Sequence, residues 1–209
     1  MSYNPSIQQI FRGIDDFYMA RGEIYETLRR LAQNLRQEEI DYAILGGMAL
    51  ALHGFVRPTQ DIDLLMTPSG LEKFHERLVG RGYVPIFPGA RKHFRDSQTG
   101  VPVEIITSGD YPGDGKPKAV SFPVPANAAK DIDGLNVIQI ARLIELKLAS
   151  GLSAEHRRLR DLADIQQLIE TLNLPEALGD DLDASVRDEY ARIWKLAQQT
   201  LADDREESM

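Results

Sequence analysis

Asp61 and Asp63 open an apolar run from Ile62 to Met66, and they are the pair of side chains in this chain best placed for chemistry. At i and i+2 on a strand, two carboxylates point to one face, roughly 7 Å apart along it. Such a pair can hold a divalent cation, and a cation so held can clamp phosphate oxygens. Upstream, an apolar strand (Tyr42 to Leu45) runs into Gly46-Gly47. A glycine pair lets backbone approach a ligand closely, and a helix started there aims its free N–H groups at an anion. Gly46 and Gly47 would then cradle such an anion. Arg57 and Thr59 lie just before the acidic pair. Arg57 could meet phosphate with its fork of donors, or simply pair with a surface acid. The acidic pair also has a plain reading, a strand-entry turn with one carboxylate capping the backbone. A charge at Asp63, inside Ile-Asp-Leu-Leu, needs a partner if it is buried.

The elements that must position these residues are legible around them. Ile24, Leu28, Leu31 and Leu35 recur at helical spacing, so the first forty residues read as helical and pack on the sheet that follows. Asp41 to Leu45 is the first strand, Met48 to His53 a short helix, Phe55 to Gln60 a loop and Ile62 to Met66 a buried strand. Thr67-Pro68-Ser69 starts a helix whose buried stripe is Leu71, Phe74, Leu78 and Val79, and Gly80 and Gly82 end it. Tyr83 to Phe87, Lys92 to Asp96 and Val101 to Thr107 are short strands between Gly and Pro turn signals. Gly109 to Pro125 reads as a long loop containing a short strand, near a boundary between two halves. From Val137 the pattern is helical, with helices over about Val137–Ala149, Ala154–Leu172 and Ala184–Leu201 and a polar, frayed tail. Asp131-Ile132-Asp133 is a second acidic triplet; no glycine pair leads into it, and it reads as a turn before a helix.

Gly46-Gly47, thirteen residues, then Asp61-Ile62-Asp63, with a strand before each, resembles the signature of the DNA polymerase β-like nucleotidyltransferase superfamily. Within it, the arrangement is similar to the minimal nucleotidyltransferases and the AbiEii-type toxins of bacterial toxin–antitoxin and phage-defence systems. Arg57 to Asp63 matches a string found in the AbiEii-type branch. Gly47 stands where many members have Ser, which removes a hydroxyl that could touch phosphate. The resemblance implies that Glu104, a lone charge in Val101 to Ile106, completes the metal site with Asp61 and Asp63 and serves as general base. Read from its residues alone, Glu104 could equally face solvent on an edge strand. The resemblance also implies that Lys147 and Asp161 complete the site. By themselves, Lys147 could snorkel from its apolar helix, and Asp161 and Asp164 could form helix ion pairs with Arg157 and Arg160.

The expected fold is therefore α/β (α+β). A small mixed nucleotidyltransferase sheet has helices on one face and is followed by a helical C-terminal half. The expected ranges are 1–35 for a helical segment packed on the core, 36–128 for the core and 129–209 for the helical domain. The expected function is metal-dependent transfer of a nucleoside monophosphate from an NTP to an acceptor hydroxyl (EC 2.7.7), with Mg²⁺ or Mn²⁺. RNA, especially a tRNA end, a protein or a small molecule is the acceptor, and a toxin role would bring an antitoxin partner. The rivals are a non-catalytic nucleotide- or partner-binding module and a phosphotransferase on the same fold.

Composition narrows the field further. The 209 residues are 43% hydrophobic and 27% charged, ordinary for a globular protein with a real core. With no cysteine, disulfides, thiolate zinc sites and a cysteine nucleophile are excluded. The four histidines lack zinc-ligand spacing. No apolar run has the length of a membrane span and the start has no signal-peptide shape, so a cytoplasmic protein is expected. A net charge of -8 argues against a broadly basic surface, but Arg91 to Arg95 and His156 to Arg160 concentrate positive charge locally.

Overall fold

The computed structural model describes residues 22–55 and 59–207, with side chains through residue 202. Arg57, one of the expected phosphate contacts, lies outside the described residues, as does the first half of the expected N-terminal helical segment. Two compact units are formed. One takes in the described residues up to Gly109 together with Pro123–Gln139; the other is Asp110–Phe122 with Ile140 onward.

The first unit is a seven-stranded mixed sheet with helices. In chain order its elements are α1 (Glu23–Gln37), β1 (Tyr42–Ile44), α2 (Gly46–Leu52), β2 (Ile62–Met66), α3 (Pro68–Arg77), β3 (Tyr83–Pro85), β4 (His93–Asp96), β5 (Pro102–Thr107), α4 (Pro125–Ala128), β6 (Ala129–Ile132) and β7 (Leu135–Ile138). The strand order is β3-β4-β5-β2-β1-β7-β6. β2 runs parallel to β5, and β1 parallel to β7; every other pairing is antiparallel. β2 is buried along Ile62, Leu64, Leu65 and Met66, as expected of a central strand that reads as an apolar run.

One sheet face is sealed by α1 and α3. Leu28, Leu31 and Leu35 of α1 are fully buried. Arg30 Nη2 donates to Asp96 Oδ2 at 2.7 Å, and Asn34 Nδ2 to the Tyr83 hydroxyl at 3.2 Å. Phe74 of α3 packs its ring on Tyr83 and Phe94, with centroids 5.4 and 5.0 Å away. The Thr67 hydroxyl caps α3 by accepting from the Gly70 N–H at 2.9 Å, with Pro68 in the first turn.

Three sequence expectations are corrected here. Asp131–Gly134 is a turn, but it joins two strands rather than starting a helix. Asp133 and Gly134 take φ of 56° and 76°, and Asp131 Oδ1 accepts from the Gly134 N–H at 3.1 Å. Paired left-handed residues are the hairpin turn whose twist matches the flanking strands. Val137 accordingly lies in β7, opposite Lys130, and the next helix begins at Ile140. Residues 110–124 contain no strand. Their Gly and Pro content instead lets the segment lie along its own unit, where Lys118 Nζ donates to the Pro112 carbonyl at 2.6 Å and to Ser153 Oγ at 2.8 Å.

The second unit is helical. It comprises α5 (Ile140–Ser153), α6 (Glu155–Leu172), a 3₁₀ turn (Glu176–Asp181) and α7 (Ala184–Glu207). Leu143, Ile144 and Leu148 of α5, Ile165, Leu168 and Ile169 of α6, and Val186, Tyr190, Ile193 and Ala197 of α7 are among its buried residues. Helix α7 carries on through most of the tail expected to fray, to Glu207. Among the described residues, no helix is long and apolar enough to cross a membrane.

Candidate active site

The site is built where β1 turns into α2. Leu45 N–H donates to the Asp63 carbonyl at 2.9 Å, extending the β1–β2 ladder by one rung. The chain then bends at Gly46, whose φ of +59° is left-handed. A Cβ at Gly46 would fall 1.8 Å from Asp63 Oδ2, so the carboxylate lies directly against the glycine Cα. A Cβ at Gly47 would fall 2.6 Å from Thr59 Cβ and 2.7 Å from its Oγ1. The two glycines thus have separate jobs: Gly46 makes room for Asp63, and Gly47 for Thr59. The first-turn N–H groups of α2 have no partner within the helix.

Thr59 is buried and donates its hydroxyl to Asp61 Oδ1 at 2.7 Å. That bond orients Asp61 at the entrance to β2 through one of its two carboxylate oxygens. Asp63 is directly in register with Glu104 on the parallel strand β5. Register partners point to the same face, and neighbouring strands lie about 4.8 Å apart. Asp61, Asp63 and Glu104 are all half-buried, reachable from solvent but partly withdrawn from it. β5 is an inner strand between β4 and β2, so Glu104 does not sit on an edge.

Among the described residues, no group of three or more His, Asp or Glu side chains is arranged to hold a metal ion. The donor set is nevertheless chemically suited to one, being carboxylate oxygen throughout. Mg²⁺ is usually held by one or two carboxylates with substrate phosphates supplying further oxygens, rather than by an all-protein cage.

Lys147 and Asp161 belong to the helical unit and form a cluster there with Asp164. Lys147 Nζ donates to Asp161 Oδ1 at 3.1 Å and to Asp164 Oδ2 at 2.6 Å. Among the described residues, Asp161 Oδ2 is buried without a hydrogen-bond partner. Neither aspartate forms an ion pair with Arg157 or Arg160 among the described residues; the lysine of the preceding helix takes that place.

His53 lies close to the glycine turn in sequence, but its ring is otherwise engaged. Its Nε2 lies 2.7 Å from the Ile138 carbonyl, which can only accept, so this nitrogen carries the proton. Burial lowers its pKa to about 4, against which the Ile138 bond and Lys130 are smaller influences. It is a neutral structural group at pH 7. A different histidine is the residue that sequence reasoning missed. His93 on β4 is directly opposite Glu104. In the sequence His93 sits inside a basic run, and only strand register brings it beside the carboxylates.

A family model described as uncharacterised nucleotidyltransferase matches residues 15–201. No protein of curated function matches the chain. Among solved structures, a candidate nucleotidyltransferase of Thermotoga maritima is similar with a TM-score of 0.52 at 18% identity, over 69% of this chain and 94% of that one. A Helicobacter pylori protein described in the same way is similar with a TM-score of 0.46 at 18% identity, over 88% of this chain and 96% of that one. The antibiotic-resistance factor ANT(2'')-Ia is similar with a TM-score of 0.46 at 10% identity, over 87% of this chain and 96% of that one. At these identities only the first likeness bears on this chain, and it speaks to the fold alone.

Proposed function

The chain belongs to the family of uncharacterised nucleotidyltransferases, and from that premise we propose that it moves a nucleoside monophosphate from an NTP to an acceptor hydroxyl at the Gly46/Asp61/Asp63/Glu104 site, with Mg²⁺ or Mn²⁺. The observation that carries this reading is the packing of the Asp63 carboxylate on the Gly46 Cα, in register with Glu104. It sets a carboxylate row beside a glycine turn at the start of a helix.

In this reading Asp61 and Asp63 hold the cation, and Glu104 adds an oxygen or takes the acceptor's proton. When bound, the cation supplies charge neutralisation for the phosphates and for the in-line displacement. The backbone at Gly46 and Gly47 binds the triphosphate. Thr59 keeps Asp61 in place throughout, since its hydroxyl is already committed to that carboxylate. The acceptor oxygen bonds to the α-phosphorus and its proton passes to Glu104. The bond from that phosphorus to the bridging oxygen breaks, and pyrophosphate leaves with the electron pair.

The test uses each α-³²P-labelled NTP with Mg²⁺ and a bacterial extract. Label should enter a discrete RNA, protein or small-molecule product, and the Asp61→Ala, Asp63→Ala variant should transfer at least about 10³-fold more slowly. Equal transfer by that variant would sink the assignment. Transfer of γ-label with retention of α-label would make the protein a phosphotransferase instead.

A further inference from the structure

Helices α5 and α6 of the second unit meet at Ser153-Ala154, and the end of the unit at that turn has an unusual surface. Residues 155–160, about the first turn and a half of α6, are all exposed. They include Arg157, Arg158 and Arg160, with His156, against a single acid, Glu155. Among the described residues, none of these three guanidinium groups forms an ion pair or a hydrogen bond. Arg158 is the smallest of the influences on Glu189, whose close partner is Arg192. Cations at the start of a helix oppose its macrodipole, and Ala154 gives this one no side-chain cap. Lys116 is a further exposed cation of the same unit. Its segment is fixed to the end of α5, where Lys118 Nζ donates to Ser153 Oγ at 2.8 Å.

Leu159 stands among these cations. It is 87% exposed, more than any other large apolar side chain among the described residues. A lone exposed leucine is ordinary, but this one occupies a position that its own unit does not use. At about 100° per residue it lies roughly 180–200° around α6 from the buried Asp161 and Leu168. The seat against α5 belongs to Leu162, whose Cδ2 would lie 3.2 Å from a Cβ built on Gly151. Leu152, at the end of α5, is 42% exposed. Two uncovered leucines and three unpaired arginines are therefore gathered within about one and a half turns of Ser153-Ala154.

A surface that receives both kinds of group is anionic outside and apolar just beneath. An anionic lipid surface has this layering: guanidinium forks match the headgroup phosphates, and leucine enters the boundary with the acyl chains. Single-stranded nucleic acid asks for aromatic platforms, and residues 150–162 contain no Phe, Tyr or Trp. A carboxylate-rich protein face would answer the arginines but leave the leucines in water. The net charge of -8 opposes approach of the chain to an anionic surface by any part except a basic one, so the charge distribution also orients the encounter.

We propose that the α5–α6 end docks the protein, reversibly and without spanning, on a membrane rich in anionic phospholipid. Leu159 and Leu152 enter the headgroup–acyl boundary, while Arg157, Arg158 and Arg160 lie on lipid phosphates. Neither part is an anchor alone; apolar insertion and a basic patch act together. The docking does not depend on the nucleotidyl-transfer reading above.

The test is sedimentation of the full chain with vesicles of mixed phosphatidylcholine and phosphatidylglycerol, against vesicles of phosphatidylcholine alone, in about 0.1 M salt. The chain should partition onto the mixed vesicles and stay in solution with the neutral ones. Each of Arg157→Ala, Arg158→Ala and Arg160→Ala should weaken partitioning by about 5-fold, and the triple variant by roughly 100-fold. Leu159→Ser should weaken it by about 10-fold or more. All four positions are exposed, so the variants should keep the parent's thermal midpoint. Asp61→Ala, Asp63→Ala should partition as the parent does, so a failed transfer reaction and a failed docking surface give different results. No partitioning onto the mixed vesicles, equal partitioning onto both kinds, or partitioning that the arginine and leucine variants leave unchanged would overturn the proposal. Failure to partition together with arginine-dependent retention on immobilised polyglutamate would overturn it in favour of an acidic protein partner.

Discussion

Gly46→Ala is the sharpest perturbation of this site. The new methyl carbon would start 1.8 Å from Asp63 Oδ2, 2.8 Å from its Cγ and 3.2 Å from its Cβ. The contact with Oδ2 is far inside van der Waals range, so the carboxylate must rotate or the turn must open. Two costs follow. An alanine at φ +59° carries about 1–2 kcal/mol of left-handed strain. Driving Asp63 off its rotamer adds roughly 0.5–1.5 kcal/mol. Together the destabilisation is about 1.5–3.5 kcal/mol, measurable by urea denaturation. The second cost should vanish when the carboxylate is absent. In an Asp63→Ala background, Gly46→Ala should therefore cost only about 1–2 kcal/mol, and a double-mutant cycle isolates the difference. Nucleotidyl transfer should fall far more steeply than stability, because the rotated carboxylate is the one assigned to the cation. An equal cost of Gly46→Ala in both backgrounds would refute the packing of Asp63 on the glycine. Full transfer activity in the single variant would refute the functional weight placed on it.

Other expectations concern the rest of the fold. His53 is neutral in the folded chain down to about pH 4 because burial lowers its pKa, whereas an unfolded histidine takes up its proton near pH 6.5. Its contribution is complete above pH 6.5 and is lost progressively as pH falls toward 4, by at most about 3 kcal/mol. His53→Gln should flatten the pH dependence of the urea midpoint across that window. Burial pushes the Asp96 pKa up, but hydrogen bonds from Arg30 and from the Thr99 and Gln98 N–H groups outweigh it, and the net shift is downward. Stability from Asp96 is therefore present above the ordinary aspartate pKa, near 4, and disappears as pH drops below it. Arg30→Ala should shrink that acid-side loss. Lys147→Met removes the ammonium that Asp161 and Asp164 share, and should cost about 1–3 kcal/mol in thermal or urea unfolding.

The carboxylates and the glycine pair were legible in the sequence because their chemistry depends on short spacing. Asp61 and Asp63 share a face by strand geometry, and a glycine pair after an apolar strand announces a close approach. What the glycines are approached by was not legible: Asp63 and Thr59 lie against Gly46 and Gly47 because of folding, at separations no local pattern encodes. Lys147 and Asp164 are likewise joined across seventeen residues by the packing of two helices. The β6–β7 hairpin is a different kind of miss. Its turn signal, Asp133-Gly134, was present, but the flanking Lys130 and Asp131 lie on an exposed edge strand and mask the alternation that marks a strand. His93 could be recognised only after β4 and β5 were set in register.

That late hairpin also bears on how the protein can be made. The chain leaves the first unit after Gly109, spends thirteen residues in the second, returns for Pro123–Gln139 and then departs for good. During synthesis β1 therefore waits with one edge open until β7 has left the ribosome, some ninety residues later. An unpaired strand edge is a template for wrong pairings, so slow or interrupted translation in this interval is a hazard for the nascent chain. Expression of a fragment ending at Gly109 would make the hazard permanent, since β1 would never receive its parallel partner. A tag or fusion partner is thus better attached outside residues 22–139 than inserted at the apparent break after β5.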